Sequence, residues 1–173
     1  MKKLILLVSL LSFTMQAQNV TVNSGRSFTI QSTSSLTVGG NFTNNSGTVT
    51  LNSDATNYSS IIVSGTSTGN IIYNRYVNTV VGDNGWDLIG SPVDELSISS
   101  FASSNGGSLA TNGSHPDPIT YAIGVYDNTT DTWANYTSST VGSTTFDIGK
   151  GYQMASQSES GQTLSFTGKI YTD

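Results

Sequence analysis

Cysteine is absent from this chain of 173 residues, and histidine, proline and charged residues are scarce. Without cysteine, the fold cannot rely on disulfide bonds, and the protein cannot carry the lipid that bacterial lipoproteins attach to a cysteine. A structural zinc site needs four His or Cys ligands in most cases. The single histidine, His115, does not supply them, so structural zinc and thiol chemistry are excluded.

Charged residues make up 10% of the chain, against roughly 25% in an average globular protein. Only six of them are Lys or Arg, and the formal net charge is −5, which disfavours nucleic-acid binding. Glu, Lys and Ala are few, which disfavours a helical protein. Ser, Thr, Asn and Gly instead supply 85 residues, and with the β-branched and aromatic residues they favour a folded β protein over a disordered chain.

The first seventeen residues have the pattern of a secretory signal peptide. Lys2 and Lys3 precede an apolar run over residues 4–13, and Ala17 is the small residue before the expected cleavage site. The apolar run is shorter than the ~20 residues that a membrane-spanning helix needs. We therefore expect an exported mature chain that begins at Gln18 and has no membrane span. Its four basic and eleven acidic residues give a net charge of −7.

Residues 18–74 repeat a short alternating apolar run that is followed by a cluster of Gly, Asn or Ser. Alternation of apolar residues with Thr or Asn indicates half-buried strands. Strands this short cannot each enclose a core, so we predict a β-solenoid-like stack; the irregular edge of a β-sandwich is the alternative. The residues expected to point into one narrow core are Val20, Val22, Phe28, Ile30, Leu36, Val38, Phe42, Val49 and Leu51.

Residues 75–173 contain more aromatic residues, and their predicted strands are longer. These strands cover residues 86–89, 120–127, 132–137, 151–155 and 163–170, while residues 103–118 have the composition of a loop. Residues 122–136 have the pattern of a hairpin with Asp and Asn in the turn, where such side chains bond their own backbone. We predict an antiparallel β-sandwich or partial barrel here, and an all-β protein as a whole.

The order of these motifs resembles the N-terminal region of secreted and surface proteins of Bacteroidota that use the type IX secretion route. The resemblance rests on repeats such as SLTVGGNFTN (residues 35–44) and GTVTLNS (residues 47–53), on IIYNRYV (residues 71–77) and on a module that begins GWDLIGSPV (residues 85–93). Members of this class end in a C-terminal sorting domain, which this chain lacks. We therefore expect part of a longer protein, extracellular or on the cell surface, and periplasmic if no sorting domain follows.

Three features are candidates for catalysis: a serine motif, the single histidine and a pair of carboxylates. None of them has the sequence context that catalysis needs. Ser67 lies in a G-x-S-x-G pattern, but a nucleophile elbow needs a helix after the serine, and residues 70–73 favour a strand. His115 lies in a polar loop with no neighbour to fix its tautomer. Asp94 and Glu95 could form a glycosidase pair, but they follow Pro92 and no cleft is indicated. We predict that the chain has no catalytic residues and is not an enzyme.

Calcium is the one cofactor that the sequence leaves possible. Carboxylates on predicted loops offer the hard oxygen ligands that calcium prefers. The candidate ligands are Asp83, Asp87, Asp127 and Asp131. They do not fit the EF-hand loop, and turn formation explains the same residues without a metal.

Aromatic residues on a β scaffold can stack on sugar rings, which makes Trp86, Tyr126, Trp133 and Tyr136 candidate ligand-binding residues. Packing in the core is the alternative, and we expect it for the Tyr126–Trp133 hairpin pair because Trp and Tyr dominate small β cores. Trp133 and Tyr136 are three positions apart, so in a regular strand they face opposite sides. A sugar platform shared by these two residues is therefore disfavoured.

Three functions follow from this sequence. The first is a non-catalytic surface or extracellular module of the spacer or adhesion type. The second is a carbohydrate-binding module that uses exposed aromatic side chains to bind a surface glycan. The third is a fragment of a secreted hydrolase whose catalytic part lies elsewhere in a longer chain.

Expression of the chain with its leader tests the export prediction. The protein should be processed between Ala17 and Gln18 and leave the cytoplasm, because the leader has the basic, apolar and small-residue segments that signal peptidase recognises. Intact mass and N-terminal sequencing of the exported material measure this. Recovery of the unprocessed chain from the cytoplasm would contradict the prediction.

Overall fold

The computed structural model describes residues 14–79, 85–113 and 117–172, and short strands dominate the first of these ranges. All but one of the first nine strands have two to five residues. Their bounds are β1 Thr14–Ala17, β2 Val20–Asn23, β3 Ser27–Ile30, β4 Ser35–Val38, β5 Phe42–Asn45, β6 Thr48–Asn52, β7 Ser60–Val63, β8 Ser67–Thr68 and β9 Asn70–Val77.

Each of the first six strands pairs in parallel with the third strand after it. The pairings form three separate ladders, β1-β4-β7, β2-β5-β8 and β3-β6-β9. Three consecutive strands therefore form one coil, and each coil lies in register on the next. In the third ladder, Ile30 lies opposite Leu51, and Leu51 lies opposite Tyr73. The short runs thus form strands, as their alternation predicts, while the β-solenoid-like form itself stays a prediction.

The corner between β4 and β5 shows why glycine and asparagine follow the strands. A Cβ atom on Gly40 would lie 2.1 Å from the backbone oxygen of Gln18, so only glycine allows the coils to approach this closely. Asn41 accepts a hydrogen bond from the backbone N–H of Thr66 at 3.0 Å, and its own N–H donates to the side chain of Asn19 at 2.8 Å. The corner thus satisfies backbone groups that the strands leave unpaired.

The predicted core of this segment is confirmed. Of the nine residues expected to point inward, seven are buried, and Val20 and Phe28 are partly buried against the same cluster. Phe42 is fully buried at the start of β5, with strands β2 and β8 on its two sides.

The remaining strands have four to eight residues and pair in antiparallel fashion. Their bounds are β10 Asp87–Gly90, β11 Thr120–Asp127, β12 Thr132–Thr137, β13 Gly151–Met154 and β14 Gln162–Lys169. Four of them form one sheet in the order β10-β13-β11-β12, and each agrees with its predicted strand to within one residue at either end. The all-β class is confirmed, and one seven-residue helix is the only α-helix among the described residues.

That helix, α1 (Ile98–Ser104), was not predicted. Its first turn is capped by the Ser97 side chain, which accepts a hydrogen bond from the N–H of Ser100 at 3.1 Å. Ile98, Phe101 and Ala102 are buried at helical spacing. The prediction of a loop over residues 103–118 is therefore wrong at its start, because the cap and three buried residues outweigh the low helix propensity of serine.

Strand β14 joins the two parts of the chain. It pairs antiparallel with β9 along eight residues and extends the third ladder to β14-β9-β6-β3. The predicted boundary between residues 74 and 75 lies inside β9.

An aromatic cluster lies where the two parts meet. The ring centroids of Phe101 and Phe166, both buried, are 4.4 Å apart, and Phe146 and Tyr152 complete the cluster. A single hydrophobic core therefore runs from the coils into the antiparallel part.

The N-terminal strand bears on the signal-peptide prediction. Residues 1–13 lie outside the described residues, whereas Thr14–Ala17 forms β1 and pairs with Ser35–Val38. Cleavage after Ala17 would remove β1 and leave β4 at the end of its ladder.

Truncation of Phe42 tests the core of the coils. Phe42→Ala should lower the free energy of unfolding by about 3–5 kcal/mol, because the fully buried ring leaves a cavity. Ile62→Ala on β7 is the control, since Ile62 is 60% exposed and should change stability by less than about 0.5 kcal/mol. Equilibrium urea unfolding measures both values, and equal effects of the two substitutions would contradict this core assignment.

Candidate functional site

The sheet β10-β13-β11-β12 has one face in the core and one face in solvent. Alternate residues point to opposite faces of a sheet. The inner face contributes residues that are buried or packed against the core: Ile89, Ile123, Val125, Tyr136, Tyr152 and Met154. The outer face and the residue just before β10 present a different set, which we call the aromatic face: Trp86, Leu88, Tyr126, Trp133, Asn135 and Gln153.

Tyr126 and Trp133 form an exposed aromatic pair on this face. They lie directly opposite each other on β11 and β12, with ring centroids 5.3 Å apart and an interplanar angle of 64°. Their exposed fractions are 42% and 43%. The Tyr126 hydroxyl donates a hydrogen bond to the Asp131 carboxylate, which raises the pKa of Tyr126. The same hydrogen bond holds the tyrosine ring in one orientation beside the tryptophan.

An amide pair lies beside the aromatic pair. The Gln153 Nε2 donates to Asn135 Oδ1 at 2.6 Å, and this hydrogen bond crosses above Gly124, which pairs with both residues. A Cβ atom on Gly124 would lie 2.3 Å from Asn135 Oδ1, so glycine leaves the space that the amides occupy. The Asn135 Nδ2 and the Gln153 Oε1 make no hydrogen bond within the described residues. One donor and one acceptor therefore remain for a ligand.

Trp86 and Leu88 border the other end of this face. A shallow groove of about 400 Å³ is lined by Trp86, Asp87, Leu88, Trp133 and Gln153. A smaller groove of about 190 Å³ lies on the other side of Trp86 and is lined also by Asn135. Trp86 is 37% exposed. The two tryptophans of the chain thus border one groove, with the amide pair between them.

The structure brings together three of the four aromatic residues that the sequence singles out. Tyr136 lies on the opposite face, as the strand alternation predicts, and its partial burial raises its pKa. The expectation that Tyr126 and Trp133 pack in the core is wrong, because Val125 and Tyr136 point into the core and strand alternation puts Tyr126 and Trp133 on the outer face.

Three residues of the aromatic face were not predicted. Asn135 shares a face with Trp133 by simple alternation, so the sequence contained a signal for it. Leu88 and Gln153 carry no such local signal. They join the site only because β13 lies between β10 and β11, which pairs Leu88 with Gln153 and Gln153 with Gly124.

The candidate calcium ligands that the structure describes accept hydrogen bonds from neighbouring side chains and backbone. Asp87 accepts two hydrogen bonds of 2.8 Å from Asn78, and Thr129 donates to Asp127, which lowers the pKa of that carboxyl. The described residues contain no cluster of three or more His, Asp or Glu side chains. Asp83 lies outside the described residues, so a calcium site that includes it stays a prediction.

The residues considered for catalysis are dispersed. Ser67 lies in β8, and strand β9 rather than a helix follows it, so the local structure is not that of a nucleophile elbow. Glu95 forms an exposed ion pair with Lys169 at 2.7 Å, and the Asp94 carboxylate accepts from the N–H of Glu95. His115 lies outside the described residues.

A scan of protein-family models finds no match to the chain, and searches of curated proteins and of solved structures find none either. In the described ranges, no helix has the length and apolar character required to cross a membrane.

Trp133→Ala separates a surface role from a core role. The substitution should lower the free energy of unfolding by only about 1 kcal/mol, since it removes one exposed aromatic contact. Tyr152→Ala is the buried comparison, and the loss of its fully buried ring should lower the free energy of unfolding by about 3–5 kcal/mol. Urea unfolding of the two variants measures the difference. A loss at Trp133 as large as that at Tyr152 would place the indole in the core.

Proposed function

We propose that the protein is an exported, non-catalytic module of the adhesion type that binds a glycan through the aromatic face. One observation carries this proposal: Trp86, Tyr126 and Trp133 are exposed on one side of a single sheet, around a hydrogen-bonded amide pair. Large exposed apolar groups of this kind mark interaction surfaces more often than isolated surface residues do.

The chemistry of this surface suits a sugar ring. Sugars present apolar C–H groups on the faces of the ring and hydroxyl groups at its edge. Exposed indole and phenol rings can stack on the C–H faces. The free Asn135 Nδ2 donor and Gln153 Oε1 acceptor can bond to the hydroxyl groups. A binding site typically has this composition, with apolar area for affinity and a few polar groups that fix orientation.

The aromatic face is also preorganised. Its residues lie on or next to strands whose inner sides are anchored in the core. Tyr126 is held by Asp131, and Asn135 and Gln153 hold each other. Side chains that are ordered before binding lose less conformational entropy when a ligand binds. A module with only a spacer role would have no use for such an ordered and exposed aromatic set, which favours the binding function.

Export forms part of the proposal and rests on the leader sequence and on the resemblance to proteins of the type IX route. An extracellular glycan is the partner that fits this location. Only four basic residues remain after Ala17, and nucleic-acid binding needs a basic patch or stripe, so nucleic acid is not the expected partner.

Intrinsic fluorescence offers a direct test, because both tryptophans of the chain lie on the aromatic face. A glycan array probed with the mature protein should identify bound oligosaccharides. Titration with a bound oligosaccharide should then shift or quench the tryptophan emission, since a sugar stacked on the indole excludes water from it.

Matched variants connect the signal to the site. Trp133→Ala should weaken binding at least about tenfold with little loss of stability, and Gly124→Ala should weaken it because the new Cβ atom displaces the amide of Asn135. Tyr171→Ala is the control, since Tyr171 is an exposed aromatic residue that borders none of the grooves described above. Absence of binding on the array, or binding that Trp133→Ala leaves unchanged, would defeat the proposal.

A further inference from the structure

A second cleft opens between the coils and the free edge of β10. It has a volume of about 390 Å³, and the residues that line it include Tyr58, Ser59, Tyr73, Arg75, Leu88 and Pro92. Leu88 also lines the groove of the aromatic face. The cleft and that groove are thus neighbours on either side of one exposed leucine.

Arg75 gives this cleft its charge. Its guanidinium lies 4.3 Å from the centroid of the Tyr58 ring. It forms no ion pair and no hydrogen bond with any described residue, although a guanidinium carries five N–H donors. Lys150 and Lys169, by contrast, are paired with Asp147 and Glu95. Among the described residues that line the cleft there is no Asp or Glu.

A buried polar group next to the cleft also lacks a partner. Ser59 is 3% exposed, and its Oγ has no hydrogen-bond partner among the described residues. Its backbone oxygen accepts a hydrogen bond from the Tyr73 hydroxyl at 3.0 Å, which orients that ring along the cleft wall. Because the Ser59 Oγ has almost no accessible surface, it is closed to a ligand in the cleft, and the unpaired charge on Arg75 is the feature that points to one.

We propose that this cleft binds an acidic sugar residue, with its carboxylate on Arg75, and that it extends the aromatic face into one longer site. This inference rests on the proposed function. A planar carboxylate matches the fork of N–H donors on a guanidinium, and no hydrogen bond within the described part of the chain occupies those donors on Arg75. The preferred ligand of the whole site is therefore a polysaccharide that contains uronic acid.

Paired oligosaccharides test the inference. Hexamers of galacturonate, glucuronate and mannuronate, and the same hexamers with every carboxyl reduced to an alcohol, are titrated against the full mature chain while tryptophan emission is followed. At least one acidic hexamer should bind about tenfold more tightly than its reduced counterpart, because a hydrogen bond to a charged group is roughly twice as strong as a neutral one. The preference should shrink as salt is added.

Arg75→Gln should abolish the preference for the acidic hexamer while leaving the reduced hexamer bound as before. Arg26→Gln is the matched control, since it removes the same charge from an exposed residue outside the cleft and should retain the preference. Thermal unfolding confirms that both variants are folded.

Equal binding of each acidic hexamer and its reduced counterpart would overturn the inference, and so would an acid preference that survives Arg75→Gln. If the reduced, neutral hexamers bind the protein and Trp133→Ala abolishes that binding, the proposed function remains intact. Failure of all six hexamers to bind would count against both proposals.

Discussion

Strand β9 is hydrogen-bonded on both sides, in parallel to β6 and antiparallel to β14. Its parallel pairing with β6 makes it the last coil strand of the third ladder. Its antiparallel pairing with β14 attaches the C-terminal strand, which follows the four-stranded sheet in the chain. Without this double pairing, the coils would end in an open edge, and edges of this kind invite association with other chains. The pairing of β14 with β9 along eight residues thereby ties the antiparallel part to the coils.

The aromatic cluster follows from that placement. Phe166 on β14 meets Phe101 from the helix, and Phe146 and Tyr152 complete the packing. These four rings fill the space behind the four-stranded sheet. Val125 and Tyr136 pack toward this core, so strand alternation leaves the rings of Tyr126 and Trp133 on the outer side, exposed yet ordered. The face that packs on the core thus determines which aromatic residues are available for binding.

The same strand positions the charged cleft. Arg75 lies near the end of β9 opposite Leu164, and the cleft that it lines reaches the edge strand β10. Leu88 on that strand also borders the aromatic groove. Four adjacent strands at roughly 4.8 Å spacing give the outer face a width of about 14 Å, which suits an extended chain ligand better than a single small molecule. A neutral aromatic surface and a cationic pocket are therefore side by side because one strand belongs to both halves of the fold.

Local pattern in the sequence was enough to predict the all-β class, the inward residues of the coils, the hairpin at β11 and β12, and the opposite orientation of Trp133 and Tyr136. These features depend on the two-residue alternation of a strand, which neighbouring residues encode. Helix α1 was not predicted, because the burial of three apolar residues in the tertiary structure outweighs the weak helix propensity of its serines.

The sequence also could not assign Gln153 and Leu88 to the aromatic face or Arg75 to a cleft. Those assignments depend on strand order and on pairings between residues far apart in the chain, such as Leu88 with Gln153, and only the packed structure determines which distant strands are neighbours.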